Sequence, residues 1–174
     1  EKRLGDILQR HTNGKTNTNS VIDGDIPFYS ACAKNPKCNH NSIDFDDNIY
    51  LLFAKSGGNS KIVYSENLGI GKFWLINGKS AANVAMIKFT INKPEYISYK
   101  YFMNIMNNNL FTIQKLAYYT TGNGNINMDE LMDFKIKVVS PEEQQNIIDY
   151  CDNLQMMIDK LEENIVNNNI LMKT

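Results

Sequence analysis

At 174 residues and 43% apolar side chains, the chain is long enough for one hydrophobic core and short for two full domains, so one globular body with an appendage is expected. Its net charge of −1 hides two unlike parts: 16 Lys and Arg against 12 Asp and Glu in residues 1–140, then 2 against 7 in residues 141–174. Three cysteines without a hydrophobic leader, and no apolar run of about 18 residues, exclude a disulfide scaffold and a membrane span and fit a reducing, cytoplasmic setting.

Leu4 to Leu8 opens the chain with a short apolar stretch, and His11 to Asp25 reads as a polar loop marked by Gly14 and Gly24. Ile26-Pro27-Phe28-Tyr29 resumes an extended, buried pattern. Cys32 to Asp47 is again loop-like, and Asn48 to Lys55 reads as a mostly buried strand, broken by Gly57-Gly58. Lys61 to Tyr64 and Phe73 to Ile76 are further short strands, each closed by turn residues (Glu66-Asn67 and Asn77-Gly78), and Val84 to Thr90 adds another. From Pro94 to Ala117 the period changes. Ile97, Tyr101, Ile105, Met106, Leu110 and Ile113 recur every three or four residues, which predicts one or two helices. A loop follows from Tyr118 to Asn127, and Phe134, Ile136 and Val138 alternate with Lys135, Lys137 and Val139 in a last strand. The fold class is therefore α/β in the mixed α+β sense, with short strands, peripheral helices and long connections.

The tail begins sharply. Ser140 suits an N-cap, Pro141 the first helical position, and Glu143 a capping box, while Glu142 complements the positive helix end. Beyond it Ile147, Cys151, Leu154, Ile158, Leu161, Ile165, Asn168 and Met172 alternate spacings of four and three, the period of a coiled-coil seam. About thirty residues at ~1.5 Å each span about 45 Å, more than the body needs for its own core. Such a seam calls for a partner helix, and the plainer alternative is that the helix folds back on its own sheet. The chain thus divides into a body, residues 1–139, and a pairing helix, residues 140–174. A basic body meeting phosphate and an acidic tail meeting protein fit that division.

Motifs for catalysis are missing. His11 and His40 are the only histidines and neither has the neighbourhood of a catalytic dyad; Cys32, Cys38 and His40 have a loosely metal-like spacing without a second ligand pair. Gly122-Asn123-Gly124 is too weak for a dinucleotide fingerprint, Gly57-Gly58 lacks the P-loop pattern, and no Asn-Pro-Pro-Tyr or Asp-Pro-Pro-Tyr methyltransferase motif occurs. No cofactor or metal is implied.

Three loops share a composition suited to DNA, in which small residues allow close backbone approach, Lys supplies charge for phosphate, and Asn, Ser, Thr or Tyr meet base edges. They are Gly14-Lys15-Thr16-Asn17, the stretch from Lys55 through Ser56, Gly57, Gly58, Asn59 and Ser60 to Lys61, and the stretch from Tyr118 through Tyr119, Thr120, Thr121, Gly122, Asn123 and Gly124 to Asn125. Lys15, Lys55, Lys61 and Lys79 are the candidate phosphate contacts. Asn59, Tyr118, Thr120, Asn123 and Asn125 are candidates to approach bases, with Thr16, Gly57, Gly58, Tyr119 and Gly122 shaping the same surface.

The order of these segments resembles the target recognition domain of type I restriction-modification specificity subunits. The resemblance spans nearly the whole chain. It is carried by Leu4-Gly5-Asp6-Ile7, by Gly14-Lys15-Thr16 followed by Ile26-Pro27-Phe28-Tyr29, and by Thr121-Gly122-Asn123-Gly124-Asn125-Ile126-Asn127 ahead of Leu131. Most specific is Phe134-Lys135-Ile136-Lys137-Val138 leading into Ser140-Pro141-Glu142-Glu143-Gln144-Gln145-Asn146-Ile147. The resemblance implies a non-catalytic DNA specificity module whose spacer helix pairs with a second such helix. It also implies a bipartite site on double-stranded DNA, and a separate or fused adenine methyltransferase and a restriction subunit that do the chemistry. A complete subunit has two recognition domains and two helices, whereas one of each is present here. The chain therefore reads as a half-subunit that forms a homodimer through its tail, or as a fragment of a two-domain subunit or of a fused methyltransferase-nuclease. Two rival readings stay open: a coiled-coil adaptor whose body binds protein and not DNA, and a hydrolase using His11 or His40.

Overall fold

A computed structural model describes residues 1–17, 24–57, 65–119 and 122–171, with side chains to residue 165. In chain order the elements are β1 (Lys2–Arg3), α1 (Leu4–Ile7), β2 (Leu8–Asn13), β3 (Ile26–Tyr29), β4 (Cys38–His40), β5 (Phe45–Ala54), β6 (Ser56–Gly57), β7 (Phe73–Ala82) and β8 (Met86–Ile91). Then come α2 (Tyr99–Asn108), α3 (Leu110–Gln114), β9 (Ala117–Tyr119), β10 (Gly124–Ile126), α4 (Met128–Asp133), β11 (Lys135–Ile136) and α5 (Pro141–Leu171).

A six-stranded sheet in the order β2-β8-β5-β7-β3-β4 forms the frame, antiparallel except where β3 runs parallel to β7. β5 is its centre, and its residues Tyr50 to Ala54 are all fully buried because both faces are covered. Alternation sends Leu51 and Phe53 to one core with Phe73, Ile87, Phe89 and Phe102. Tyr50, Leu52 and Ala54 go to a smaller one with Phe45, Ile76, Ala82 and Met86. The larger core holds aromatics in contact, Phe53 tilted against Phe73 at 4.5 Å and Phe73 edge-on to Phe102 at 5.3 Å.

The sheet curls over its smaller core. Register slips between Asp47 and Ile49 of β5 opposite Asn77 and Gly78, and Gly78 takes φ +87°, so a bulge bends both strands there. The stretch from Ser80, beside Phe45, to Met86, beside Ala54, contains a turn closed by the Met86 N–H to Asn83 O at 3.0 Å. The ends of β5 therefore lie closer than the ~30 Å of a flat strand of that length.

α2 covers the larger core through Tyr101, Phe102 and Met106, and Ser98 caps it by accepting from the Tyr101 N–H at 3.2 Å. α5 starts as its sequence predicts, with Ser140 Oγ accepting from the Glu143 N–H at 3.3 Å. Its first turns join the body. Gln144 is 2% exposed, accepts from the Ser98 N–H at 3.0 Å and donates to Tyr96 O at 2.6 Å and Val139 O at 2.9 Å. Ile148 enters the larger core. After Asp152 every described side chain of α5 is exposed, so the helix does not fold back on the sheet. Among the described residues no helix is long and apolar enough to cross a membrane.

The expected elements are present with shifted bounds, and each shift has a cause. His11 to Asn13, read as loop, belong to β2 because the strand pairs with β8 again at Asn13, across an irregularity that takes in His11 and Thr12. Cys38 to His40, also read as loop, pair with β3 as an edge strand. Asn77-Gly78 is not a turn, since the glycine serves the bulge and β7 continues to Ala82. Val84 precedes β8 and sits in the turn. The loop after Tyr118 is a hairpin of β9 and β10, α4 was not foreseen, and the last strand shrinks to two residues paired with β1. The strand expected at Lys61 to Tyr64 lies outside the described residues.

Candidate nucleic-acid interface

Two of the three loops singled out by composition are joined by backbone pairing. In a small sheet of order β6-β10-β9, Gly57 faces Gly124 and Ser56 faces Asn125, while Gly124 and Asn125 also face Tyr119 and Tyr118. The Ile126 N–H donates to Lys55 O at 2.7 Å, extending the ladder. The glycine at 57 is required twice over: its φ is +148°, and a Cβ there would lie 2.9 Å from the Ala31 Cβ.

The result is a polar cleft of about 440 Å³ between this small sheet, the loop from Ser30 to Lys37, and the β7–β8 turn. Ser56, Gly57, Asn123 and Asn125 line one side; Ser30, Cys32, Lys37 and Asn83 line the rest, and among the described residues no carboxylate does. Asn123 is exposed and Asn125 half-buried, and neither side-chain amide bonds to another described residue. Asn125 on the paired strand β10 and Asn123 just ahead of it each offer an amide donor and acceptor, which is what reading a base edge requires.

The third loop lies behind the turn. The Gly14 N–H donates to Met86 O and the Thr16 N–H to Ala82 O, both at 3.0 Å, while Asp44 accepts from the Lys15, Thr16 and Ala82 N–H groups. Lys15 is exposed and Thr16 only 8% exposed, so the lysine points to solvent and the threonine belongs to the support. Lys55 is half-buried, its N–H on Ala85 O at 3.0 Å. Lys79 lies along β7, 3.9 Å from Asp46, away from the cleft lining. Tyr118, Tyr119 and Gly122 are exposed at the hairpin, Gly122 with φ +89°. Gly58, Asn59, Lys61 and Thr120 lie outside the described residues.

The sequence reading missed the loop from Ser30 to Lys37 and the turn at Asn83. A signal existed, since Lys34-Asn35-Pro36-Lys37 has the same lysine and amide composition as the chosen loops. Cys32 Sγ donates to Lys34 O at 3.0 Å and His40 Nδ1 accepts from the Ser42 N–H at 2.9 Å, so these groups serve loop geometry. Among the described residues no cluster of His, Cys, Asp or Glu gathers as a metal site. His11 Nε2 meets Thr90 Oγ1 at 2.8 Å on the β2–β8 ladder, and burial, then the Lys88 ammonium, holds its pKa below the ordinary value. Lys88 itself pairs with Asp47. Burial pushes the Tyr50 hydroxyl up to about 12 and raises that of Tyr29, keeping both protonated under the smaller core.

The seam of α5 divides in two. Ile147 and Cys151 are half-buried beside Tyr101 and Ile105 of α2, whereas Leu154, Ile158, Leu161 and Ile165 are 41% to 59% exposed.

Residues 1–170 match the family model described as the type I restriction modification DNA specificity domain. The chain belongs to that family. This specificity domain also resembles the type I restriction-modification system S subunit from M. genitalium, with a TM-score of 0.72, at 13% identity over 93% of this chain and 40% of that one. The HsdS subunit from Thermoanaerobacter tengcongensis gives a TM-score of 0.60 at 13% identity, covering 92% and 38% of the two chains. A structure of the type I R-M system described for its complex assembly and conformational transition gives 0.59 at 14% identity, covering 92% and 39%. At such identities these likenesses establish the fold. None of the curated proteins matches. The specificity domain spans about two fifths of the length of these solved chains, and its family is a non-catalytic one.

Proposed function

We propose that the chain is a sequence-specific DNA recognition module of a restriction-modification system that directs a separate or fused adenine methyltransferase, and with it a nuclease, to a target on double-stranded DNA. The observation that carries this is the cleft, where two loops chosen for their DNA-like composition meet through β6 and β10 and present unbonded Asn amides. Lys15, Lys55 and Lys61 reach phosphates in this reading, while Asn59, Tyr118, Thr120, Asn123 and Asn125 approach bases; Lys79 contributes only to the wider field. Residues 1–139 read DNA and residues 140–174 pair, antiparallel, with the same helix of a second copy or of a second recognition domain. The bare row from Leu154 to Ile165 supports that pairing.

Duplex binding, assayed with the methyltransferase partner, tests the reading. Lys55→Ala with Lys61→Ala is expected to weaken binding and flatten its salt dependence; unchanged binding sinks the loop assignment. Sedimentation tests the helix: Leu154→Asp is expected to weaken self-association at least tenfold, about 1.4 kcal/mol, and a chain monomeric at tens of micromolar with or without that change rules out self-pairing.

A further inference from the structure

The loop from Ser30 to Lys37 is held more firmly than its exposure suggests. Asn35 spans it, with Oδ1 accepting from the Ser30 N–H at 3.1 Å and Nδ2 donating to Ser30 O at 2.8 Å and Cys32 O at 3.4 Å. The Cys32 thiol closes on Lys34 O at 3.0 Å, and the Lys37 N–H returns to Phe28 O at 2.8 Å. Ala31 is wedged against the small sheet, where a Cβ on Gly57 would meet it at 2.9 Å. On this fixed frame Lys34 and Lys37 are exposed, and neither forms an ion pair with a described residue. Lys37 faces the cleft whose other wall carries the uncharged amides of Asn123 and Asn125.

We propose that this loop is the second wall of the DNA cleft: Lys34 and Lys37 contact backbone phosphates, and Asn35 is the positioning residue that sets them in register with the amides opposite. Unpaired ammonium groups beside a cleft lined by no described carboxylate favour a polyanion, and the backbone that carries them is held before binding, so docking costs little backbone ordering entropy. Phosphate contacts set the register in which base contacts are made. A loosened loop would keep its charge and lose discrimination. The inference rests on the DNA-reading function proposed above.

The test uses the full chain and a labelled duplex selected from a random pool, against a scrambled duplex, between 50 and 200 mM salt. Removing one lysine–phosphate interaction should flatten the slope of log affinity against log salt by about 0.9. The Lys34→Ala/Lys37→Ala pair is expected to flatten it by about 1.8, shrinking the salt-driven loss roughly twelvefold over this range. Asn35→Ala is expected to leave the slope near that of the parent and to cut preference for the selected duplex about tenfold, with the urea midpoint as a check on folding. A double-lysine variant with the parent slope, when Lys55→Ala does flatten it, overturns this inference and leaves the proposed function standing. A parent chain whose DNA binding is independent of salt overturns both.

Discussion

The two ends of α5 share one helix and similar apolar residues, yet their surroundings have nothing in common. In the first turns Gln144 and Ile148 are buried and Ile147 and Cys151 half-covered; from Leu154 onward the apolar row is bare. The contrast teaches that a continuous seam in sequence is not a continuous interface in the folded chain. The buried row steps by four residues onto α2, whereas the seam alternates four and three, and the two rows part company at Asp152.

The largest expected effect comes from placing one charge in each environment. Ile148→Asp puts a carboxylate in the larger core and should cost on the order of 4 kcal/mol of stability. Leu161→Asp in dilute, unassociated protein should stay within about 0.5 kcal/mol of the parent. Urea midpoints measure both. A Leu161 variant as damaged as the Ile148 variant would mean the free end packs on its own body.

Gln144→Leu comes next. The helix is anchored by a polar side chain, so the substitution leaves the Ser98 N–H and the Tyr96 and Val139 carbonyls without partners, at about 2–3 kcal/mol in chemical denaturation. Gln144→Glu should do no better, because it keeps the acceptor for Ser98 but turns a carboxylate oxygen toward two carbonyls. A neutral Gln144→Leu would shift the anchoring role to Ile148 alone.

This anchor marks where the sequence stopped being legible. The start of α5, its period and its exposed end follow from residues close in sequence, since caps and heptads are local codes. Gln144 entered only as part of the motif that opens the helix, and nothing local marks it as buried, because its partners Tyr96 and Ser98 lie far back in the chain and only tertiary packing brings them there. The cleft divides the same way. Its glycine and amide loops announced themselves by composition, but nothing local links Gly57 to Gly124 or brings the loop of Asn35 to face Asn125. The curl of the sheet was illegible for a related reason: Asn77-Gly78 reads as a turn until Asp47 and Ile49 across the ladder show that it serves a bulge. Family resemblance reached the DNA-reading function sooner than residue chemistry did, because ordered motifs encode a fold whose loops are individually ordinary.

A smaller effect separates body from helix by titration. The pKa of His11 in the folded body lies below 6.5, its ordinary value, through burial and the nearby Lys88 ammonium. The folded state then binds fewer protons than the unfolded one, so stability is fully present above about pH 6.5 and falls as pH drops through that value toward the folded pKa. His11→Phe is expected to flatten the stability curve in this window, by urea unfolding at closely spaced pH values. Helix association, which involves no described histidine, should not follow it. An unchanged slope in His11→Phe would move the titration to another group.

The smallest effect sits at the boundary itself. Lys100 of α2 and Asp152 of α5 form an ion pair at 2.5 Å with side chains 53% and 46% exposed, the last polar contact between the helix and the body among the described residues. In such exposure solvent screens the attraction, so Lys100→Ala should cost about 0.5 kcal/mol or less, and nothing measurable in 1 M salt. Local order is a finer probe than global stability. If this pair holds the last anchored turn, the variant should exchange amide hydrogens faster around Asp152 and leave those near Ile148 unchanged. Equal protection in both proteins would mean that packing of Ile148 and Cys151 alone decides where the helix leaves the body, and the boundary would then be set by burial rather than charge.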